Sequence, residues 1–194
     1  MSLRGLGIER PVRAFVALSC PPGLRRAIGR KLAEWRDLDA DVAWVKPEIS
    51  HLTLRFLGDA DPERLDRLHA RIGEVAGSAG PVQGRPGSTG AFPGWARARV
   101  LWLAVESGGA IERLAGSLEA SAREAGFDAE ERRFTPHITL GRVRGSHGAR
   151  RVTGAVRAWR PDEPFEAIPE IVLYRSELAT NGARHMVLAR YPIA

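Results

Sequence analysis

One four-residue word occurs twice in this chain, as His51-Leu52-Thr53-Leu54 and as His137-Ile138-Thr139-Leu140. Each copy lies in a run that alternates like a β-strand, where residues i and i+2 share a face. Each therefore sets an imidazole beside a hydroxyl on one surface and turns two aliphatic side chains toward a core. The setting is doubled as well. A strand from near Val12 and a helix from about Leu24 precede His51, which stands 39 residues after Val12. A strand from near Arg99 and a helix from about Ile111 precede His137, which stands 38 residues after Arg99. The chain reads as a duplicated strand–helix–strand module.

Two imidazoles brought together supply one proton acceptor and one proton donor near neutral pH. The two hydroxyls between them supply hydrogen bonds to an anionic oxygen. Such a site performs acid–base chemistry on a phosphate and needs no metal. No spacing rule alone brings residues 51 and 137 together. Packing of the two modules about a pseudo-twofold axis would do so, by lining one cleft with both words.

The expected architecture is α+β: two pseudo-symmetric lobes, each an antiparallel sheet backed by helices, with the active-site cleft between them. Residues 1–194 are read as a single domain of two intertwined lobes, with the repeat boundary near 77–98. Val12 to Leu18 is the opening strand, and Leu24, Ile28, Leu32 and Trp35 recur at helical spacing. Ala43-Trp44-Val45 is a short strand, and Gly58-Asp59 closes the His51 strand. Asp61-Pro62 starts the next helix, with a capping acid ahead of proline at the first helical position. Its buried stripe is Leu65, Leu68, Ile72 and Val75. The Gly- and Pro-rich segment 77–98 reads as a loop with an irregular edge strand. Val100 to Val105 is a strand, followed by the helix of Ile111, Leu114, Leu118 and Ala122. After the His137 strand, Arg142 to Arg151 reads as a mobile basic stretch. The strands Ile171–Tyr174 and His185–Leu188 close the chain, joined by the hairpin signal Asn181-Gly182.

Composition narrows the function. No apolar run reaches the length of a membrane helix, and Met1 to Gly7 lacks the apolar core of a signal peptide. The single cysteine, Cys20, permits no internal disulfide and no zinc-ligand spacing. A cytoplasmic chain without membrane association is expected. The net charge is +6, and of 29 basic residues only Lys31 and Lys46 are lysine. Two explanations of the arginines stay open: a compositional bias, or attraction to polyanions, for which the guanidinium is well shaped. The glycines of 77–98 form neither a Walker A motif nor a GxGxxG after a strand, and no GxSxG surrounds Ser19. His69, His147 and His185 read as structural. Trp44, Trp102 and Phe56 are candidates for base stacking, but each reads first as core, Phe56 because it shares parity with Leu52 and Leu54.

His51 to Gly58 (HLTLRFLG) and Phe134 to Arg142 (FTPHITLGR) resemble the paired signatures of the 2H phosphoesterase superfamily, and within it the RNA 2′,3′-cyclic phosphodiesterases, also called 2′-5′ RNA ligases. Arg13 to Leu18, Trp44-Val45, Ala91-Phe92-Pro93 and Tyr174-Arg175-Ser176 fit the same pattern. The resemblance implies that His51 (proton donor) and His137 (proton acceptor) are the catalytic pair. It implies that Thr53, Thr139 and Arg142 hold the substrate phosphate. Strand parity opposes Arg142, which faces away from His137 unless the strand bends or ends at Gly141. The implied reaction is hydrolysis of a terminal RNA 2′,3′-cyclic phosphate to a 2′-phosphate, with reversible 2′-5′ ligation, by a monomer using no cofactor. The implied partners are RNA ends of that kind, tRNA fragments among them. The rivals are a 2H phosphoesterase for another small cyclic phosphate or a 2′,5′-oligonucleotide, and a noncatalytic RNA-end binding module. Intact histidines and threonines in both motifs disfavour the last. Because no metal is expected, turnover of a 2′,3′-cyclic nucleotide should survive excess EDTA. Loss of activity restored by a divalent ion would overturn that mechanism.

Overall fold

The computed structural model describes residue 8, residues 10–179 and residues 182–193. Its frame is one antiparallel sheet of nine strands. The strands are β1 (Val12–Ser19), β2 (Val42–Trp44), β3 (His51–Ala60), β4 (Gln83–Phe92), β5 (Val100–Glu106), β6 (His137–Val143), β7 (Glu166–Ala167), β8 (Glu170–Ala179) and β9 (Gly182–Pro192). Their order is β7-β4-β5-β6-β3-β1-β8-β9, with β2 against the far end of β6. The two His-bearing strands are thus central neighbours. β1 flanks β3 as β5 flanks β6, which is the placement a twofold relation between β3 and β6 requires.

The alternation in β1 divides the sheet into two faces. Val12, Ala14, Val16 and Leu18 join the main core, while Phe15, only 3 % exposed, lies on the opposite face against His51. Helices cover the core face: α1 (Pro22–Arg36), α2 (Pro62–Ser78), α3 (Ala110–Glu124) and α4 (Ala149–Ala158). The apolar stripes read from spacing are buried in α1, at Leu24, Ile28, Leu32 and Trp35, and in α2 at Leu65, Leu68 and Ile72, whereas Val75 is half-buried and Ala76 takes the last core position. In α3 they are Ile111, Leu114, Leu118 and Ala122. α3 packs on β3 and α2 on β8 and β9, so each helix crosses to strands outside its own strand–helix–strand unit. At the start of α2, the Asp61 carboxylate accepts the Arg64 backbone N–H at 2.9 Å, as the capping signature predicts.

Several expectations need correction. Segment 77–98 holds more strand than loop: the expected irregular edge strand is the ten-residue β4, with a register shift between Pro86 and Thr89 and only the two-residue β7 outside it. Gly84, Gly87 and Gly90 serve packing: a Cβ on Gly90 would stand 2.0 Å from the Trp102 indole. Residues 142–151 are not a free basic stretch. β6 continues to Val143, and α4 starts at Ala149, burying Val152 and Val156. β3 runs past Gly58-Asp59 to Ala60, which pairs with Val12. In the closing hairpin, β8 pairs with β9 from Glu170 and Pro192 to Ala179 and Gly182, and Asn181 lies outside the described residues.

Candidate active site

One backbone pair joins the two motifs. Leu52 lies opposite Ile138 in an antiparallel register, and both side chains are buried in the core, at 2 % and 1 % exposure. Their neighbours must therefore face the other way. One residue to either side of that pair, the register sets His51 across from Thr139 and Thr53 across from His137. The four polar side chains occupy the corners of one patch, with the two histidines on a diagonal. Beyond this single pair the strands part, and β2 takes the place beside β6, with Trp44 opposite Gly141. That divergence opens the cleft.

Both imidazoles are held alike. His51 Nδ1 lies 2.9 Å from the Ile49 carbonyl, and His137 Nδ1 lies 2.7 Å from the Thr135 carbonyl. A carbonyl oxygen only accepts, so each Nδ1 carries the proton and donates it. Each Nε2 is then a free lone pair when neutral and a second donor when charged. Among the described residues neither Nε2 and neither threonine hydroxyl has a hydrogen-bond partner.

The surroundings differ between the two sides. His51 is walled by Phe15 at 5.0 Å, His185 at 5.4 Å and Tyr174 at 5.7 Å between ring centroids. His137 touches Phe92 at 5.2 Å and Trp102 at 5.9 Å. Burial pushes the His51 pKa down to about 4, with the nearby His185 and His137 acting in the same direction and the Ile49 carbonyl opposing. Burial also lowers His137, against the Thr135 hydrogen bond.

Two β-bulges settle the parity questions. In β6, Leu101 pairs with Gly141 but Trp102 pairs with Thr139, so Leu140 is an extra residue and the alternation reverses after it. Arg142, opposite Val100, comes back to the face of Trp102 and Thr139. It is exposed, and its guanidinium makes no hydrogen bond or ion pair among the described residues. The first motif carries the same device: Ala17 pairs with Thr53 but Val16 with Arg55, leaving Leu54 over. Phe56 is therefore not core. It stands on the cleft face, 59 % exposed and 6.0 Å from Phe15. Arg55 turns inward instead, at 8 % exposure, and its guanidinium binds Glu119 of α3 and the Phe56 and Asp128 carbonyls. That clamp fixes the bulge and ties β3 to the segment leading into β6.

Of the other candidates, Trp44 packs at the core, stacked on Trp35 at 5.6 Å. His69 meets the Tyr191 hydroxyl at 2.5 Å, and His147 pairs with Asp39 at 3.2 Å, both away from the cleft. His185 lies nearer the site than the sequence suggested, with its ring 5.4 Å from that of His51. A cavity of about 380 Å³ lies beyond Phe56, lined by Arg55, Asp59, Arg64, Phe127 and Glu130. It holds neither histidine, and its arginines stand among carboxylates. Among the described residues no group of three or more His, Cys, Asp or Glu side chains is placed to hold a metal ion.

Two histidines and two threonines thus share one face of an antiparallel sheet, at the junction of its two central strands. A family model described as the 2′-5′ RNA ligase superfamily matches residues 24–179, and the chain belongs to that family. It is 32 % identical over 172 residues to an RNA 2′,3′-cyclic phosphodiesterase of Methanothermobacter thermautotrophicus, covering 88 % of this chain and 93 % of that protein. It is 34 % identical over 133 residues to one of Archaeoglobus fulgidus, covering 69 % and 73 %. Similar solved structures include TT0787 of Thermus thermophilus, with a TM-score of 0.74 and 28 % identity over 93 % of this chain and 97 % of that one. Escherichia coli LigT complexed with 3′-AMP has a TM-score of 0.71 and 26 % identity over 95 % and 99 %.

The lowered imidazole pKa values have a sign for stability. The unfolded chain takes up these protons near pH 6.5, whereas the folded His51 resists until about pH 4. Stability contributed by the neutral imidazoles is complete above pH 6.5 and is lost as pH falls toward 4. Urea midpoints should therefore decrease from pH 7.5 to pH 5, less steeply in His51→Gln. Equal slopes in the two proteins would contradict the assignment.

Proposed function

We propose that this chain hydrolyses the 2′,3′-cyclic phosphate at an RNA 3′ end, leaving a 2′-phosphate and a 3′-hydroxyl. The observation that carries this reading is the diagonal of two imidazoles across the Leu52–Ile138 pair. In-line displacement at phosphorus needs a base on one side and an acid on the other, and the diagonal supplies one on each. His137 Nε2 accepts a proton from the attacking water as oxygen bonds to phosphorus. The P–O3′ bond breaks, and His51 Nε2 donates its proton to the departing 3′ oxygen. Thr53, Thr139 and Arg142 hydrogen-bond the equatorial phosphate oxygens, where charge accumulates. The family relationship and the names of the relatives support RNA as substrate. The reverse path joins the cyclic phosphate to a 5′-hydroxyl as a 2′-5′ linkage, with the histidine roles exchanged; the superfamily match favours this second activity.

The low pKa of His51 fits an acid only when substrate is bound. An anionic phosphate about 4 Å away contributes about 4 kcal/mol at an effective dielectric of 20. That is enough to return the imidazole to near its ordinary range. Protonation of His51 and substrate binding are therefore linked.

Metal-free and cofactor-free turnover by a monomer is part of the proposal, supported by a site to which one chain contributes both motifs. Action in the cytoplasm on cyclic-phosphate RNA ends, tRNA fragments included, belongs to the same proposal. Among the described residues no helix is long and apolar enough to cross a membrane.

Removal of a general acid or base costs roughly 10²–10⁴-fold in rate. His51→Ala and His137→Ala should fall in that range, and Thr53→Ala and Thr139→Ala should lose about 10- to 100-fold. A substrate with sulfur in place of the 3′ oxygen separates the histidines. A thiolate departs without a proton, so this substrate should rescue His51→Ala and leave His137→Ala slow. Rescue of His137→Ala instead would reverse the roles.

A further inference from the structure

The cleft contains a third imidazole that the mechanism above does not use. His185 lies on β9, opposite Ser176 of β8. Its ring stands edge-on to His51, at 5.4 Å and 86°, and edge-on to Phe15, at 4.9 Å and 80°. It completes a box around His51 whose other walls are Phe15 and Tyr174. Its bonding is unlike that of the other two cleft histidines. They are locked by carbonyl oxygens at Nδ1, whereas His185 Nδ1 is buried with no hydrogen-bond partner among the described residues. Nothing fixes its tautomer, and nothing at Nδ1 compensates a proton placed there.

We infer that His185 is a positioning residue of the active site, which holds the plane of the His51 ring and confines the pair to a single positive charge. The inference rests on His51 being the proton donor only where it concerns turnover; the coupling itself is a property of the free protein. Two imidazolium charges 5.4 Å apart repel strongly at the effective dielectric of a protein interior. The groups around the pair do not offset that repulsion. Phe15 of β1 carries no charge, and Tyr174 and Ser176 of β8 are neutral near pH 7. His137 of β6 adds repulsion when protonated, and Arg184, beside His185 on β9, is cationic. Burial and the His185 charge act on His51 in the same direction, and burial lowers His185 as well. A substrate anion that draws a proton onto His51 thus requires His185 to be neutral. His185 sets the pH below which the acid can no longer be charged independently.

The test uses NMR titration of the His51 imidazole in the free protein, with kcat/KM against pH alongside. His185→Gln keeps a polar side chain of similar size without a charge, and His185→Lys keeps a charge at every working pH. The His51 titration should move up by about one pH unit in His185→Gln and down in His185→Lys. Shifts of opposite sign are not produced by a residue that merely packs. An unchanged His51 titration in His185→Gln would overturn the inference, and His185→Gln alone decides it if His185→Lys does not fold. The alkaline limb of kcat/KM should follow the His51 titration. A moved titration with a fixed limb leaves the coupling standing and refutes His51 as the donor.

Discussion

The antiparallel contact between Leu52 and Ile138 does for this molecule what a hinge pin does for two plates. It is the only residue pair in the β3–β6 ladder among the described residues, and each partner is the second residue of a His-x-Thr-Leu word. Burying both on the core face obliges four neighbours, His51, Thr53, His137 and Thr139, to share the other. Strand period makes that obligation strict, because a slip of either strand by one residue would send its histidine into the core and its Leu52 or Ile138 into the cleft. The same register puts the histidines on a diagonal, as an in-line reaction requires of its acid and base. Arg55 reinforces it from the core side through Glu119 and the Asp128 carbonyl.

The twofold relation is broken where chemistry needs it broken. Each strand bulges three residues after its histidine, at Leu54 and at Leu140, and each bulge returns the fifth residue to the cleft. On one side that residue is Phe56, on the other Arg142. Phe56 adds an exposed aromatic ring beside Phe15 and Arg142 adds a cation beyond Thr139, so a nucleotide meets two different flanks. The aromatic wall also withdraws His51 from water more strongly than His137, which separates the affinities of two otherwise matching imidazoles for a proton.

Much of this was legible in the sequence. The repeated word identified the four polar corners, and apolar spacing gave α1, α2 and α3 with their buried stripes. What stayed hidden has a common cause, since each case depends on contacts between distant segments. A bulge is a mismatch between two strands and leaves no mark in one strand's alternation, so Arg142 was read as facing away and Phe56 as core. β4 was read only as an irregular edge strand within a loop, because its glycines look like loop residues until Trp102 lies across Gly90. α4 has only three turns, and its two buried valines stand among arginines. His185, 134 positions after His51 in the chain, carries no local motif; only the β1–β8–β9 pairing brings it to the cleft.

The central claim is that one phosphorus sits on the axis between the two motifs. A crystal structure with a uridine–vanadate or similar pentacoordinate phosphate analogue tests it most directly. The account predicts the central atom above the Leu52–Ile138 pair, with His51 Nε2 and His137 Nε2 bonded to opposite apical oxygens and both threonine hydroxyls to equatorial ones. An analogue bound by one motif alone, or seated beyond Phe56 in the cavity of Arg55, Asp59 and Glu130, would contradict it.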